Sequence, residues 1–200
     1  MTVPSIIRQE PRGRPAVGFQ LEVPGEVEVE NETTNQPVNQ PVNQPVNQPV
    51  SQPVSQPVIV CRERRADGRL VGELEARVFA GAMIIDRDGV LADKASEVLG
   101  GETRRMGEAA VAVVLPGASG FRAEAVVRTE LPYIYVFAIA AADTVVDGGV
   151  VVTVRSAAPD WPAAEHMLRS LRILTRNGRI ATNFDAQDGP ILPVVAPKRV

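Results

Sequence analysis

Few side chains in this sequence have the type and spacing that chemistry requires. Asp86 and Asp88 stand two positions apart behind an apolar run, and carboxylates are the oxygen ligands that hard divalent cations prefer. His166 is the only histidine, and no Gly-x-Ser-x-Gly elbow accompanies it, which favours a surface histidine over a catalytic base. Cys61 is the only cysteine, which excludes an intrachain disulfide and a cysteine-built zinc site. The acidic pair is therefore the sharpest catalytic candidate.

The segment from Met83 to Leu91 resembles the first motif of haloacid dehalogenase-type phosphatases, in which an apolar strand runs into Asp-x-Asp-Gly. The resemblance implies that Asp86 is the nucleophile and Asp88 the general acid/base, with a magnesium ion between carboxylate and phosphate. That chemistry also needs a later lysine and a further acidic pair, and the only lysines are Lys94 and Lys198. We favour a strand-to-helix turn in which Asp88 caps the next helix and keep the phosphatase as the alternative.

Composition and charge separate several other function classes. Lys and Arg number 21 against 24 Asp and Glu, whereas a nucleic-acid binder normally carries a strong basic surplus. The longest apolar stretch, Tyr133 to Ala142, is about half the ~20 residues of a membrane-spanning helix. The start of the chain lacks the apolar core of a secretory signal. We expect no nucleic acid, no membrane, no cofactor and a cytoplasmic location.

Residues 35–58 are six tandem tetrapeptides, four Asn-Gln-Pro-Val and two Ser-Gln-Pro-Val. A proline at every fourth position removes a backbone donor and biases its predecessor toward extended conformations, so neither a helix nor a central strand is expected. We predict a disordered loop that interrupts a single domain spanning residues 17–175. Residues 1–16 are predicted to be a flexible arm, and residues 176–200 a loosely ordered tail.

Apolar periodicity predicts the elements around these repeats. Strands are expected at 17–23, 58–61, 74–85, 109–115, 121–129, 133–141, 150–156 and 173–174. One helix is expected from Val90 to Leu99, stopped by Gly100 and Gly101, and a second is capped by Asp160. The fold class is therefore α+β, an antiparallel sheet of about six to seven strands with two helices packed on it. If Phe19 to Val23 pairs with Val58 to Cys61, the repeats form an enlarged hairpin loop.

The strand that begins at Tyr133 is apolar on both faces, which places it in the centre of the sheet with each side covered. A partner chain is one candidate for that cover, so a homo-oligomer is among the expectations. The candidate interaction surface combines its aromatic residues with a nearby run of arginines: Tyr133, Tyr135, Phe137, Arg62, Arg64 and Arg65.

Three phrases in the sequence resemble the PsbP-like superfamily, which includes the PsbP, Mog, DcrB and LpqN types. The first is the phrase Phe19 to Pro24, which is similar to the family's opening strand. The second is Met106 to Val111, and the third runs from Val150 through Trp161 to Arg172. Together they span roughly residues 17–175. The resemblance implies a PsbP-like fold without common catalytic residues.

The resemblance therefore favours a non-enzymatic binding or accessory module that acts on a protein partner. A magnesium-dependent phosphatase and an oligomeric structural subunit are the two alternatives. An Asp86→Asn comparison with an aryl phosphate separates the first two hypotheses, and light scattering tests the third.

Overall fold

The computed structural model of this chain describes residues 3–11, 17–34, 56–79, 87–107, 112–116, 120–140 and 148–193. Within these ranges the chain forms eleven strands, two α-helices and a short 3-10 helix at Asn183–Ala186. The strands are β1 (Ser5–Gln9), β2 (Val17–Val23), β3 (Glu28–Thr34), β4 (Gln56–Arg64), β5 (Leu70–Phe79), β6 (Val113–Pro116), β7 (Gly120–Val126), β8 (Tyr133–Ile139), β9 (Gly149–Ser156), β10 (Arg172–Thr175) and β11 (Gly178–Ala181). The helices are α1 (Arg87–Arg105) and α2 (Pro162–Ser170).

Seven strands form one antiparallel sheet in the order β3-β4-β5-β9-β8-β7-β6. The last four strands pair with their neighbours in the chain and form an antiparallel meander, in agreement with the predicted antiparallel sheet. β8 has β7 on one side and β9 on the other, and its side chains are buried on both faces from Ile134 onward. The prediction of a central, doubly covered strand is confirmed.

The other four strands form a second antiparallel sheet in the order β1-β2-β10-β11. The sequence predicted a single sheet, so this second sheet is a correction. It forms because β2 and β10 pair across almost the whole length of the chain, which places Phe19 opposite Ile173. Such non-local pairing leaves no signal in local periodicity. The fold is nevertheless α+β, with two helices packed on antiparallel sheets, as predicted.

Two apolar cores account for the packing of these layers. The first contains side chains from both sheets and from α2, including Phe19, Tyr135 and Trp161. The second lies on the opposite face of the large sheet, where Leu91, Ala95 and other α1 residues meet β7 and β8. The large sheet is therefore covered on both sides by parts of its own chain.

Helix α1 is longer than the periodicity predicted. The pair Gly100 and Gly101 does not end it, and the helix continues to Arg105. Each glycine costs about 1 kcal/mol relative to alanine, but burial of α1 side chains on both sides of the pair offsets that cost. The left-handed glycine that does follow the helix is Gly107, with a φ of 69°.

Helix α2 and its flanking residues present one apolar stripe to the core, since Trp161, Ala164, Leu168 and Leu171 are all buried. Its first residue is Pro162, where proline costs least. The predicted cap is wrong, because the N-cap residue is Trp161 and no side chain caps the helix. The Trp161 indole instead donates to the Glu63 carboxylate at 2.6 Å.

The repeats connect two strands, but they are not the two that the sequence suggested. Strand β4 pairs with β3, and Gln56 lies opposite Thr34. The expected pairing with Phe19 to Val23 is wrong, because β2 belongs to the other sheet. Residues 35–55 of the repeat segment lie outside the described residues.

Both ends of the chain contain more structure than the sequence suggested. Residues 5–9, placed in a flexible arm, form strand β1 on the edge of the small sheet. Residues 178–181, placed in a loose tail, form β11, and the chain beyond it buries Phe184, Ile191 and Leu192 in the first core. These contacts make the chain that follows β11 part of the folded domain.

Candidate functional site

Only one member of the predicted acidic pair lies within the described residues. Asp86 lies outside the described residues, and Asp88 is exposed in the first turn of α1, where its carboxylate accepts a hydrogen bond from Arg87 Nε at 2.9 Å. A carboxylate at this position interacts favourably with the helix dipole. Asp88 lies within the helix rather than at its N-cap, so the predicted capping role is wrong.

The lone cysteine and the lone histidine occupy contrasting environments. Cys61 is fully buried in β4, and burial raises the pKa of its thiol to about 12, so the nucleophilic thiolate is scarce at neutral pH. His166 is exposed on α2, with Nε2 at 3.6 Å from Glu22 Oε1. The prediction of a surface histidine is confirmed.

The aromatic part of the predicted interaction surface lies inside the protein. Tyr135 and Phe137 are buried in the first core, and Tyr133 packs partly against it. The Tyr135 hydroxyl donates to the Pro159 carbonyl at 3.3 Å. These side chains are covered by the second sheet and its neighbouring segments rather than by a partner chain, so Tyr135 and Phe137 are unavailable as an interaction surface.

Two of the three predicted arginines are bonded to groups within the protein. Arg62 is bonded to two carboxylates, with Nε at 2.6 Å from Glu73 Oε2 and Nη1 bonded to Glu30. Arg64 donates to the Gly68 carbonyl at 3.2 Å, and Arg65 is exposed. Their different partners indicate a role in holding the β3–β5 region together.

The bonds of Arg62 belong to a row of alternating charges that we call the ion ladder: Glu30, Arg62, Glu73, Arg155 and Glu102. Its middle members are direct cross-strand neighbours on β4, β5 and β9. Arg155 Nη1 lies 2.5 Å from Glu73 Oε1, and Arg155 Nη2 lies 2.6 Å from Glu102 Oε2 on α1. The ladder therefore fastens α1 to the large sheet.

The inner end of the ion ladder is almost inaccessible to water. The side chain of Glu102 is 4% exposed and that of Arg155 is 10% exposed. Burial alone would lower the pKa of Arg155, but the charges of Glu102, Glu73 and Glu75 outweigh it and raise the pKa above its ordinary value. All of these charges are paired within the fold, which is the arrangement of a structural anchor.

A second set of charged side chains binds the main chain near the C-terminus. Ile191 N and Leu192 N each donate to the Glu165 carboxylate at 2.9 Å. Arg169, one turn later on α2, donates to the carbonyls of Phe184 at 3.2 Å and of Gly189. We call residues 183–193 the C-terminal segment.

The other side of this segment rests on the large sheet. Arg122 on β7 donates through Nη1 to the Ile191 carbonyl, and the Phe184 ring meets Phe137 edge to face with centroids 5.8 Å apart. Ile191 and Leu192 are buried in the first core. We call the surface formed by Glu165, Arg169, Arg122 and Phe137 the C-terminal groove.

Two buried polar atoms next to this groove form an ion pair but make no hydrogen bond. Within the described residues, Arg122 Nε and Glu124 Oε2 are buried and make no hydrogen bond, although they lie 3.3 Å apart as an ion pair. Burial and, secondarily, the charge of Glu124 raise the pKa of Tyr135. The charges of Arg122 and Glu124 therefore balance each other beneath the C-terminal segment.

The residues of this groove leave two signals in the sequence, and neither identifies a binding site. Glu165 and Arg169 stand four positions apart on α2 and form an ion pair at 2.8 Å, which is also typical of any solvated helix face. The stronger signal was the apolar pair Ile191 and Leu192 in a stretch taken for a tail. Two adjacent aliphatic residues are more stable when they are buried in an apolar core.

Comparisons with known protein families, curated proteins and solved structures found no match. Across the described ranges, the His, Cys, Asp and Glu side chains form no cluster of three or more that could hold a metal ion. Neither helix described above is both long and apolar enough to cross a membrane.

Proposed function

We propose that this protein is a non-enzymatic binding or accessory module, and that the C-terminal groove is its binding site for a short, bent protein segment. In the free protein the groove holds the C-terminal segment of the same chain. The proposal combines the function class that the sequence favours with a surface at which side chains are arranged around a stretch of backbone.

The observation that carries the proposal is the type of atom that the groove binds. Glu165 accepts two backbone N–H groups, and Arg169 and Arg122 donate to backbone carbonyls. Every peptide carries these groups, so such contacts provide affinity without requiring one sequence. Charged partners also make each of these hydrogen bonds stronger than a neutral one.

Selectivity in this site comes from two apolar anchors. Ile191 is 3% and Leu192 1% exposed, and burying aliphatic side chains of this size contributes about 1.5–3 kcal/mol each. An incoming segment would need two adjacent aliphatic residues that follow the bent path of Ile191 and Leu192.

We also propose that the domain is PsbP-like. Support comes from the phrases that carry the resemblance: Phe19 to Val23 lies in a strand, Val150 to Val154 lies in β9, and Trp161 begins the helix that follows. The α+β architecture with helices packed on antiparallel sheets is consistent with that superfamily.

The experiment that tests the binding site uses the full chain with its own segment weakened by Ile191→Ser and Leu192→Ser. A fluorescein-labelled peptide of residues 183–193 is titrated with this variant, and fluorescence anisotropy is measured. We expect saturable binding, because the groove is intact and its resident has lost both anchors. A variant that is folded by circular dichroism but shows no saturation would contradict the proposal.

Two controls make the titration specific. Adding Glu165→Ala to the same variant should abolish binding, since both backbone N–H contacts are lost. A peptide with Gln187→Ala and Asp188→Ala should bind as well as the original, because the groove bonds the carbonyl of residue 187 rather than either side chain. Loss of binding with this peptide would show that recognition depends on side chains.

The phosphatase alternative is separated by a direct assay. The wild-type protein is incubated with an aryl phosphate and magnesium, and Asp86→Asn serves as the matched variant. Under the proposed function the two proteins give the same background rate. Turnover that disappears with Asp86→Asn would replace the binding module with an enzyme.

A further inference from the structure

Strand β1 exposes an apolar edge at the margin of the small sheet. It pairs with β2 on one side, and among the described residues no strand pairs with its other side. Ile6 on this strand is 67% exposed, and Val3 just before it is 82% exposed. These are the two most exposed large hydrophobic side chains of the described chain. An open strand edge with exposed aliphatic residues is a template for pairing with another strand.

The three other edge strands carry features that discourage such pairing. β3 has Glu28 and Glu30 on either side of its exposed Val29. β6 is four residues long and ends at Pro116, and β11 is four residues long and contains Arg179. Short strands, charges and prolines are the usual means of blocking edges. β1 is the edge on which these devices are weakest.

We propose that the outer edge of β1 pairs with β1 of a second copy of this chain, antiparallel across a twofold axis. The register centred on Ile7 pairs all five residues of the strand: Ser5 with Gln9, Ile6 with Arg8, and Ile7 with its symmetry mate. The two four-stranded sheets thereby join into one continuous sheet of eight strands. This inference is independent of the C-terminal groove.

The charge pattern is what favours a second copy as the occupant. Arg8 is the only charged residue of β1, and in this register it lies opposite Ile6 rather than opposite its own symmetry mate. Glu10, which pairs with Arg8 Nε at 2.5 Å, balances its charge within each copy. No like charges face each other within the paired strands, and directly opposed like charges are what destabilise cross-strand pairs.

The test measures the mass of the full-length protein by light scattering and its dimer dissociation constant by sedimentation. We expect a species of twice the 21.4 kDa chain mass. Ile6→Lys should weaken the dimer by roughly tenfold or more, because it places two lysines opposite two arginines. The double variant Ile6→Lys/Arg8→Glu should restore the dimer, because each lysine then faces a glutamate.

Matched controls keep this test independent of folding. Val113→Lys places the same charge at an exposed position on the β6 edge and should leave the dimer unchanged. Ile6 and Arg8 are both exposed, so circular dichroism should be unchanged in every variant, as should the melting temperature measured at a concentration at which all variants are monomeric. A wild-type protein that stays monomeric at about 100 μM, a dimer that is indifferent to Ile6→Lys, or a double variant that fails to restore it would each overturn the proposal.

Discussion

Charged side chains fasten helix α1 to the large sheet, and they fasten the C-terminal segment to α2 and to β7 of the large sheet. The atoms that these side chains bind differ. At α1, Arg155 meets carboxylates of Glu102 and Glu73, so each partner is one particular side chain. At the C-terminal segment, Glu165 and Arg169 meet main-chain N–H and carbonyl groups. The first contact depends on the partner's sequence, and the second depends mainly on its conformation.

This difference indicates which attachment is exchangeable. Breaking a buried charge pair leaves an uncompensated charge in a dry environment, which costs several kcal/mol. Releasing a backbone segment instead returns its N–H and carbonyl groups to water, where they are solvated again. We therefore expect α1 to stay attached whenever the domain is folded, and the C-terminal segment to be the part that another chain can replace.

The largest effect should come from removing the centre of the ion ladder. Arg155→Met leaves Glu102 and Glu73 without their main partner, and we expect it to lower the free energy of unfolding by about 3–5 kcal/mol. Urea denaturation followed by circular dichroism measures this loss. The double variant Arg155→Met/Glu102→Gln should recover part of it, because it no longer leaves the most buried carboxylate charged.

Arg169→Met makes the same change in the C-terminal groove and provides the matched comparison. Arg169 donates to carbonyls at 3.2 and 3.4 Å and its side chain is one-third exposed. We expect a loss of about 1–2 kcal/mol, clearly smaller than for Arg155. Equal losses for the two arginines would show that the two attachments do not differ.

A glycine substitution can disturb the support of the groove without touching the ion ladder. A Cβ added at Gly72 would lie 2.5 Å from two carbons of the Trp161 ring, at the start of α2. We expect Gly72→Ala to destabilise the protein by about 1–3 kcal/mol through overpacking, measured as a lower urea midpoint.

Gly101→Ala is the control on the side of α1. A Cβ at Gly101 would meet nothing within 4 Å, and alanine favours the helix by about 1 kcal/mol over glycine. The melting temperature should therefore rise. A fall would mean that the middle of α1 needs the glycine for a reason other than helix propensity.

A similarly small effect should come from shortening the repeat segment. Because Thr34 lies opposite Gln56, residues 35–55 form the connection between β3 and β4, and a hairpin still needs a short loop there. Deleting residues 39–54 leaves five connecting residues, and the loop-closure rule predicts a gain of about 1.3 kcal/mol. Thermal unfolding monitored by circular dichroism measures it. A lower melting temperature would indicate that the repeats stabilise the fold.

The sequence was sufficient wherever one local pattern determines the outcome. Alternating apolar residues located β2 and β8, and the stripe beginning at Trp161 located α2. It was insufficient where residues far apart in the chain pair. Nothing local to Glu102 indicates a contact with Arg155 on β9, and nothing local to Phe19 indicates pairing with Ile173.

Some parts of the candidate site were visible in the sequence but were given another interpretation. The aromatic residues of β8 were predicted to be exposed to a partner, because the second sheet that buries them could not be foreseen. Arg169 lies in the last turn of α2, where a cation commonly does no more than interact with the helix dipole. Its contacts depend on where residues 184–189 return, and that path follows from tertiary packing of Ile191 and Leu192.

Hydrogen exchange in wild type and Glu165→Ala tests most directly whether the C-terminal segment is held separately from the core. We expect the amides of Ile191 and Leu192 to exchange about ten- to a hundredfold faster in the variant. The amides of β9 should exchange at the wild-type rate. Equal acceleration of both sets, or no change at Ile191 and Leu192, would contradict it.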